Sequence, residues 1–226
     1  MSGHTIAITG ANRGIGLELA RGFHQRGDRV IALCRESSPG LDELDADIVD
    51  GVDVTDTDSV RSAAARIEAE RIDVLINVAG ILSSESFDEL GEAEATDRLR
   101  RQFEVNALGP LHVTRALVDR LGQGSKVVLI TSRMGSIGDN DSGGMYGYRM
   151  SKAALNAAGK SLSIDLADRD IAVGILHPGF VRTDMTRHQG HVEPSEAAAM
   201  LMERIDELNA ANSGRFLHAN GEELPW

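Results

Sequence analysis

The sequence predicts an α/β fold built on a parallel sheet, because short apolar runs alternate with helical segments along the chain. The first run, residues 4–9, is rich in β-branched side chains and leads through a glycine-rich turn into a helical segment. Two later runs, residues 72–76 and 126–131, are mostly apolar. Runs of that kind are typical of strands that are buried on both faces of a parallel sheet.

The pattern of apolar residues and turn formers gives the individual elements. The predicted strands cover residues 4–9, 29–34, 46–54, 72–76, 126–131, 171–176 and 215–218. The predicted helices cover residues 17–26, 58–70, 95–121, 148–169 and 195–209. Gly109 and Pro110 should bend the long third helix, because proline lacks a backbone donor and clashes with the preceding turn. The acidic segment 83–94 before it is most simply a solvated loop and helix start.

Length and composition favour a single domain over residues 1–226, since the chain has no composition break and no Pro/Ser-rich linker. The net charge of −12 and the pI near 5.0 argue against nucleic acid or an anionic membrane as a partner. Cys34 is the only cysteine, so a reducing, cytoplasmic location without an intrachain disulfide is expected. Neither a secretory signal nor a membrane span is expected, because the apolar runs are too short.

The turn at residues 10–16 has the order of strand, glycines and helix that a dinucleotide site requires. Its spacing is Gly-x-x-x-Gly-x-Gly. Glycines would let the backbone approach a pyrophosphate, and the N-terminus of the helix would face the negative charge. The turn residues expected at a cofactor are Gly10, Asn12, Arg13, Gly14, Ile15 and Gly16. The alternative is a tight strand-to-helix connection without a ligand.

The end of the second strand bears on the choice of cofactor. Cys34 and Arg35 stand where an acidic residue would bind a ribose 2'-hydroxyl. Arg35, together with Arg13 in the glycine turn, could clamp a 2'-phosphate through paired hydrogen bonds. This pattern favours NADP(H) over NAD(H). The alternative is two ordinary surface arginines, one of them paired with Glu36.

Two further strand ends offer ligand contacts. Asp53 and Val54 end the predicted third strand. Asp53 is the better candidate for a contact with a base, since Thr55 or Asp56 can serve as a helix cap. Residues 77–80, Asn-Val-Ala-Gly, follow the fourth strand, and their small side chains would leave room for a ligand.

Tyr148 and Lys152 stand four residues apart in a predicted helix and therefore share one face. A nearby positive charge stabilises a phenolate and lowers the tyrosine pKa from its ordinary value of about 10. Tyr148 could then act as a general acid or base. Tyr-x-x-x-Lys also arises by chance, as a half-buried ring beside a solvated amine. Tyr146 is excluded from the role, because Met150 stands where its lysine should be.

Three other positions become candidate site residues because of where the predicted fold places them. Ser132 follows strand 126–131 at its carboxyl end, where open parallel sheets place their ligands. The Pro178-Gly179 pair forces a turn that would expose backbone groups above the sheet. Asn106 lies near the expected bend of the long helix, where backbone bonding is disturbed; the alternative is a solvent-facing or locally capping side chain.

The remaining candidates are weaker. His188 and His191 are interpreted as loop histidines, because no cysteine or matched carboxylate set accompanies them, and no metal is expected. Trp226 is expected to anchor the tail, either on its own subunit or on a neighbour.

As a set, these motifs resemble the short-chain dehydrogenase/reductase family from Thr5 to about Thr183. The resemblance is carried by Thr-Gly-x-x-x-Gly-Ile-Gly at residues 9–16, Asn-Val-Ala-Gly at residues 77–80, Asn106, Ser132, Tyr148-x-x-x-Lys152 and Pro178-Gly179. The set is specific, although no single motif is. Residues 132–136, residues 146–149 and the Leu-Pro-Trp end look most like the C-factor and sniffer-type carbonyl reductase branch.

The resemblance implies a Rossmann-type, doubly wound sheet of seven parallel strands with helices on both faces. It also implies a catalytic set. Tyr148 would donate a proton to a carbonyl oxygen, and Ser132 would hydrogen-bond that oxygen. Lys152 would lower the pKa of Tyr148 and bind the nicotinamide ribose, while Asn106 would hold a water that links Lys152 to solvent.

Further cofactor contacts follow from the same resemblance. Asn77 would lie near the adenosine-side ribose and Asp53 near the adenine, with Val181 and Thr183 near the carboxamide. The full set expected outside the glycine turn is Arg35, Asp53, Val54, Asn77, Ala79, Gly80, Tyr148, Lys152, Pro178, Gly179, Val181 and Thr183.

The implied function is NADPH-dependent reduction of an aldehyde or ketone to an alcohol, by a homodimer or homotetramer packed through the helices that carry Asn106 and Tyr148. The alternative is an NADP(H)-binding signalling or developmental protein of the C-factor type, in which binding matters rather than turnover. Two departures from the family pattern concern the pocket. Segment 132–148 is a few residues longer than usual, which could reshape one wall of the pocket. Segment 183–195 is shorter, which suggests a relatively open cleft.

Overall fold

The computed structural model describes residues 3–226. The strands are Thr5–Thr9 (β1), Arg29–Leu33 (β2), Asp47–Val49 (β3), Ile72–Asn77 (β4), Leu121–Ile130 (β5), Ala172–His177 (β6) and Phe216–His218 (β7). The α-helices are Gly14–Arg26 (α1), Pro39–Asp42 (α2), Thr57–Arg66 (α3), Ala93–Phe103 (α4), Gly109–Leu117 (α5), Tyr146–Asp165 (α6) and Pro194–Glu207 (α7). A π-helical turn at Glu104–Leu108 joins α4 to α5. Short 3-10 turns lie at Asp88–Gly91, Val118–Arg120, Arg133–Gly135, Ala167–Arg169 and Asp184–Thr186.

The seven strands form one parallel sheet in the order β3-β2-β1-β4-β5-β6-β7. Thr9 of β1 is in register with Leu33 of β2 on one side and with Asn77 of β4 on the other, so these carboxyl ends finish at one level. The strand order reverses between β1 and β4, and the crevice outside such a reversal is where open α/β sheets bind ligands. The predicted doubly wound, seven-stranded sheet is confirmed.

Two apolar clusters cover the two faces of the sheet. Leu19 of α1 and Leu201 of α7 belong to the cluster on one face. Val60 of α3, Leu117 of α5 and Leu155 of α6 belong to the cluster on the other. Successive strand residues point to opposite faces, so the continuous apolar runs of the central strands supply both clusters. Within residues 3–226, no helix combines the length and the apolar character needed to cross a bilayer.

The long helix predicted at residues 95–121 is interrupted. The N–H group of Gly109 donates to the carbonyl of Glu104, five residues earlier, which defines the π turn. Pro110 has no N–H group to donate to the carbonyl of Asn106, four residues earlier. The disturbance expected near Gly109 and Pro110 is therefore present as a π turn, and the buried Asn106 lies inside it.

The third predicted strand, residues 46–54, is too long, since β3 ends at Val49. β3 is an edge strand and pairs only with β2. The chain then turns at Gly51, whose φ of 68° suits glycine. As a result, Asp53 and Val54 lie beyond the strand, in the loop that leads to α3.

The tail docks on its own chain. The Trp226 ring packs against Phe216 with 5.6 Å between ring centres. The Trp226 carbonyl oxygen accepts hydrogen bonds from the Gly138 N–H at 2.9 Å and from the Ser136 hydroxyl at 3.3 Å. Of the two sites considered for this anchor, the structure shows the one within the subunit, where the tail supports the loop that follows Ser132.

Candidate active site

A cleft of about 770 Å³ opens at the carboxyl ends of the central strands. The predicted site residues that line it are Gly10, Asn12, Arg13, Gly14, Ile15, Gly16, Arg35, Asp53, Val54, Ala79, Gly80, Tyr148, Lys152, Pro178, Gly179, Val181 and Thr183. The other three, Asn77, Asn106 and Ser132, are buried beside this lining. The fold thus brings residues from almost the whole chain to one cleft.

Close backbone contacts shape the glycine turn. Gly10 has a φ of 67°, and a Cβ atom there would lie 3.0 Å from the Cα atom of Ala79. A Cβ atom at Gly16 would lie 2.2 Å from the carbonyl oxygen of Gly10. The N-cap residue of α1, Arg13, provides no side-chain acceptor for the first turn of the helix. Free N–H groups at this helix end are therefore available to an anion such as a pyrophosphate.

Two arginines face the outer end of the cleft. Arg13 lies 3.9 Å from Asp184, which belongs to the segment after β6. Arg35 lines the cleft and has no ion-pair partner among the described residues, so the alternative of a pair with Glu36 is not observed. The Glu36 carbonyl instead accepts a hydrogen bond from the Asn12 side chain at 2.9 Å.

The carboxylate of Asp53 is held on the floor of this outer end. It accepts hydrogen bonds from the Thr55 N–H at 2.9 Å and from the Thr55 hydroxyl at 2.7 Å. Arg101 of α4 approaches it to 3.5 Å and also lines the cleft. Burial raises the pKa of Asp53, but the hydrogen bonds from Thr55 and the charge of Arg101 hold that pKa below its usual range. The sequence offered no motif that singled out Arg101.

Tyr148 is buried at the inner end of the cleft with Ser132 beside it. Burial raises the pKa of the Tyr148 hydroxyl, and a hydrogen bond from Ser132 acts in the opposite direction without reversing the shift. The Ser132 oxygen also accepts from the Met134 N–H at 3.1 Å, which fixes the side chain at the strand end. The lowered pKa that was expected for Tyr148 is therefore not found.

The reason lies in the position of Lys152. Its Nζ atom is 5.8 Å from the centre of the Tyr148 ring and donates a hydrogen bond to the carbonyl of Ile130 at 2.9 Å. Burial also lowers the pKa of Lys152 to about 8. The ammonium is thus close to the phenol, but burial dominates both pKa values, raising that of Tyr148 and lowering that of Lys152.

Asn106 ties the π turn to the loop after β4. Its Oδ1 atom accepts from the Ile81 N–H at 2.8 Å, and its Nδ2 atom donates to the Ile81 carbonyl at 2.9 Å. Nδ2 also donates to the hydroxyl of Ser151, the neighbour of Lys152, at 3.0 Å. The solvent-facing alternative for Asn106 is wrong, because the side chain is fully buried and fully engaged.

Asn77 lies behind the cleft lining. Its amide donates to the Thr114 hydroxyl of α5 at 3.4 Å, and its Oδ1 atom has no hydrogen-bond partner among the described residues. The Asn77 side chain is therefore not positioned in this structure for the ribose contact that the resemblance implies.

Two histidines lie next to the Pro178-Gly179 turn. The rings of His177 and His218, at the ends of β6 and β7, meet edge to face with centres 4.9 Å apart. Burial lowers the pKa of His177 to about 3, with further contributions from His218, Arg133 and Lys152. His177 is therefore neutral at pH 7 and adds no positive charge near the ammonium of Lys152.

Segment 83–94 was expected to be solvated, and this is wrong for Glu85, whose side chain has no exposed surface. Its carboxylate accepts hydrogen bonds from Gln102 of α4 and from the backbone of Gly147 in α6. These partners lie far away in sequence, so no local pattern could reveal the burial.

The loop histidines do not form a metal site. His188 lies 3.1 Å from Asp184, and the His191 ring packs edge to face on Phe180. Across residues 3–226, no group of three or more histidine, cysteine, aspartate or glutamate side chains is arranged to hold a metal ion.

Comparison with known proteins identifies the family. The profile of the short chain dehydrogenase family matches residues 4–194. The chain is 41% identical to 1-hydroxy-2-glutathionyl-2-methyl-3-butene dehydrogenase of Rhodococcus sp. (strain AD45), over 98% of this chain and 99% of that protein. It is 43% identical to the C-signal protein of Myxococcus xanthus, over 74% of this chain and 100% of that protein.

A solved structure supports the same assignment. The NADPH-bound carbonyl reductase from chicken fatty liver superimposes with a TM-score of 0.89 at 28% identity, and the match covers 100% of both chains. The chain therefore belongs to the short-chain dehydrogenase/reductase family, in the C-factor and sniffer-type carbonyl reductase branch, and is an oxidoreductase that acts on CH–OH or C=O groups.

Proposed function

We propose that the protein reduces an aldehyde or ketone to the alcohol with NADPH, with Tyr148 as the proton donor. The observation that carries the proposal is the grouping of Ser132, Tyr148 and Lys152 at the inner end of the cleft whose outer part is the glycine turn. A phenol and an ammonium buried together in a cleft are the parts that general acid catalysis on a carbonyl needs.

The cleft fits a nicotinamide dinucleotide. A Cβ atom at Gly16 would collide with the backbone of Gly10, and the uncapped start of α1 suits a pyrophosphate. When NADPH is bound, it supplies the hydride that forms the new C–H bond. The protein must then supply the proton that converts the carbonyl oxygen into a hydroxyl.

Tyr148 is suited to this proton transfer in the direction of reduction. Because burial raises its pKa, the phenol keeps its proton at neutral pH until a carbonyl oxygen accepts it. Ser132, whose hydroxyl acts to lower the pKa of Tyr148, would orient the carbonyl oxygen toward the phenol. Lys152, with a pKa lowered to about 8, would stay charged at pH 7, stabilise the phenolate and contact the nicotinamide ribose.

The π turn supports the proposed water at Asn106. Pro110 cannot donate to the Asn106 carbonyl, and the Asn106 side chain is already bound to Ile81 and Ser151. The backbone oxygen is therefore the group that would hold a water and relay protons from solvent to Lys152. Such a relay would restore the proton that Tyr148 gives up.

We also infer a preference for NADP(H) over NAD(H). Arg35 lines the outer cleft without an ion-pair partner among residues 3–226. Arg13 also lines the cleft and lies 3.9 Å from Asp184. Both guanidinium groups could bind a 2'-phosphate. The remaining proposed cofactor contacts are the predicted residues that line the cleft, together with Asn77 behind that lining.

The test is oxidation of NADPH followed at its absorbance band with a panel of aldehydes and ketones. Tyr148→Phe removes only the hydroxyl and should lower kcat by about 10²–10⁴-fold, while NADPH affinity stays within a few-fold of the parent. Full turnover by Tyr148→Phe would refute the assigned proton donor.

A second candidate function is cofactor-dependent signalling without turnover. The observation that favours it is the 43% identity to the C-signal protein of Myxococcus xanthus. Tight NADPH binding, no turnover on a broad panel, and a cellular phenotype that survives Tyr148→Phe would support this candidate. The intact Ser132, Tyr148 and Lys152 set favours the enzyme, because binding alone does not require it.

The substrate and partners follow from the same proposal. We propose a small carbonyl or alcohol compound as substrate, a cytoplasmic location, and no nucleic acid, membrane or metal partner. The 41% identity to a Rhodococcus dehydrogenase makes alcohols worth including in the panel, with NADP⁺ as oxidant.

A further inference from the structure

The helix that carries Tyr148 has no cap of its own. The residue before α6, Met145, has a φ of 51° and no side-chain hydrogen bond to the helix. The first N–H groups of a helix have no partners within it and need acceptors from elsewhere, above all when they are buried. Gly147, in the first turn, is buried.

Glu85 supplies the missing acceptors. Its backbone carbonyl accepts from the Met145 N–H at 3.0 Å, and its Oε2 atom accepts from the Gly147 N–H at 3.1 Å. The position is also favourable for the charge, because the N-terminus of a helix attracts an anion. The helix therefore begins at Tyr146, two residues earlier than its apolar pattern alone predicts.

The carboxylate is itself fixed from the other side. Its Oε1 atom accepts from the Ser83 hydroxyl at 2.7 Å and from the Gln102 side chain at 2.9 Å. Gln102 in turn accepts from the Ser83 N–H at 2.9 Å. Arg98 of α4 lies 3.9 Å away and is the nearest positive charge. Glu85 thus joins α4 and the loop after β4 to the start of α6.

The contact between α4 and the first turn of α6, the helix that carries Tyr148, is close. A Cβ atom at Gly147 would lie 2.2 Å from the Gln102 Nε2 atom, so α6 can approach α4 only because residue 147 has no side chain. Tyr148 is the next residue. A shift of the first turn would therefore move the phenol relative to Ser132, and a misplacement of about 1 Å can cost about 10²-fold in rate.

We propose that Glu85 is a positioning residue for Tyr148: by capping the first turn of α6, it holds the phenol at the distance and angle needed for proton transfer. The proposal rests on the proposed reductase function. It assigns Glu85 no contact with substrate or cofactor, and Glu85 does not line the cleft.

The experiment compares Glu85→Ala and Glu85→Gln with the parent in steady-state reduction and in NADPH titration. Glu85→Ala removes every side-chain acceptor and should lower kcat by about 10²-fold. Glu85→Gln keeps one oxygen for Gly147 but turns a donor toward Gln102, so its kcat should lie between those of Glu85→Ala and the parent. NADPH affinity should stay within about threefold in both, because the glycine turn is untouched.

Glu89→Gln is the matched control. Glu89 accepts from the same Arg98 at 3.2 Å, but it has no hydrogen bond or ion pair with α6 among the described residues. Its variant should therefore keep the parent kcat. If Glu85→Ala does not fold, Glu85→Gln alone tests the proposal. A Glu85→Gln kcat at least threefold below the parent, with unchanged NADPH affinity, supports the proposal. An unchanged kcat overturns it. A parallel loss of kcat and NADPH affinity also overturns it, because that would indicate general damage.

Amide hydrogen exchange separates this proposal from the reductase function. The Gly147 N–H should exchange faster in Glu85→Gln than in the parent or in Glu89→Gln, whether or not any carbonyl is turned over. A parent without turnover would refute the reductase proposal alone. Unchanged exchange at Gly147 would refute the capping role.

Discussion

The Nζ atom of Lys152 lies 5.8 Å from the centre of the Tyr148 ring, and both side chains are buried. Burial shifts their two pKa values in opposite directions, raising that of Tyr148 and lowering that of Lys152 to about 8. At pH 7 the phenol therefore keeps its proton and the lysine keeps its charge. This is the state that reduction of a carbonyl requires.

The first prediction is a loss of reductase activity at alkaline pH. As pH rises through about 8, Lys152 loses the proton that makes it a cation. The value of kcat/KM for NADPH, which reports the free enzyme, should then fall by up to about tenfold per pH unit. Lys160→Met, an exposed position on the same helix, should keep this alkaline limb. A profile that stays flat to pH 10 would contradict the role of Lys152.

The second prediction concerns stability. The pKa of Lys152 is lower in the folded protein, at about 8, than its ordinary value of 10.5. Between these pH values the unfolded chain holds a proton at Lys152 that the folded chain has lost, so the free energy of unfolding rises with pH. Relative to Lys152→Met, the parent should gain about 3 kcal/mol from pH 8 to pH 10.5.

Urea denaturation of the parent, Lys152→Met and Lys160→Met across that pH range measures the difference. Changes at other titrating groups are common to the parent and its variants and cancel in the comparison. A parent and a Lys152→Met variant whose unfolding free energies run parallel from pH 8 to pH 10.5 would show that Lys152 is not desolvated.

The third prediction concerns the choice of cofactor. Arg35→Ala should lower the preference for NADPH over NADH by about 10–100-fold, since hydrogen bonds to charged groups contribute about 1.5–3 kcal/mol. The loss should appear in kcat/KM for NADPH, with kcat/KM for NADH little changed. Arg29→Ala, at the start of β2, is a control, because Arg29 pairs with Asp47 outside the cleft. An unchanged preference in Arg35→Ala would remove Arg35 from the phosphate site.

The fourth prediction concerns the π turn. Asn106→Ala leaves the N–H and carbonyl of Ile81 and the hydroxyl of Ser151 without their partner. We expect a loss of about 3 kcal/mol in the free energy of unfolding, because buried polar groups without partners are costly. Asn140→Ala, in the exposed loop before α6, should change it by less than about 1 kcal/mol. Similar values for the two variants would contradict the role of Asn106 in holding the loop.

The parts of the fold and of the site that could be predicted from the sequence are those that a short-range pattern encodes. The strand, glycine turn and helix at the start of the chain are contiguous, and Tyr148 and Lys152 are one helical turn apart. The strand ends that form the cleft also follow from the chain order, because parallel strands place their carboxyl ends on one edge.

What the sequence did not reveal depends on contacts between distant segments. Glu85 lies in an acidic stretch that appears solvated, yet its partner Gly147 is 62 residues away. The pKa of Tyr148 could not be inferred from the spacing to Lys152, because the spacing gives proximity and says nothing of burial. A disturbance near Pro110 was predictable, but the burial of Asn106 inside it depends on bonds to Ile81, which is 25 residues away.

The last prediction concerns assembly. The helices that carry Asn106 and Tyr148 leave large apolar side chains exposed at Phe103, Leu108 and Met150, and Met150 is 58% exposed. We expect a homodimer or homotetramer packed through these helices, because a cluster of exposed apolar side chains marks an interaction surface. A charge buried without a partner at position 150 would oppose this association. Light scattering should give a mass of two or four chains for the parent and a lower mass for Met150→Arg. Ile48→Arg, on the edge strand β3, should keep the parent mass. A monomeric parent would refute the predicted assembly, and a Met150→Arg variant with the parent mass would place the interface elsewhere.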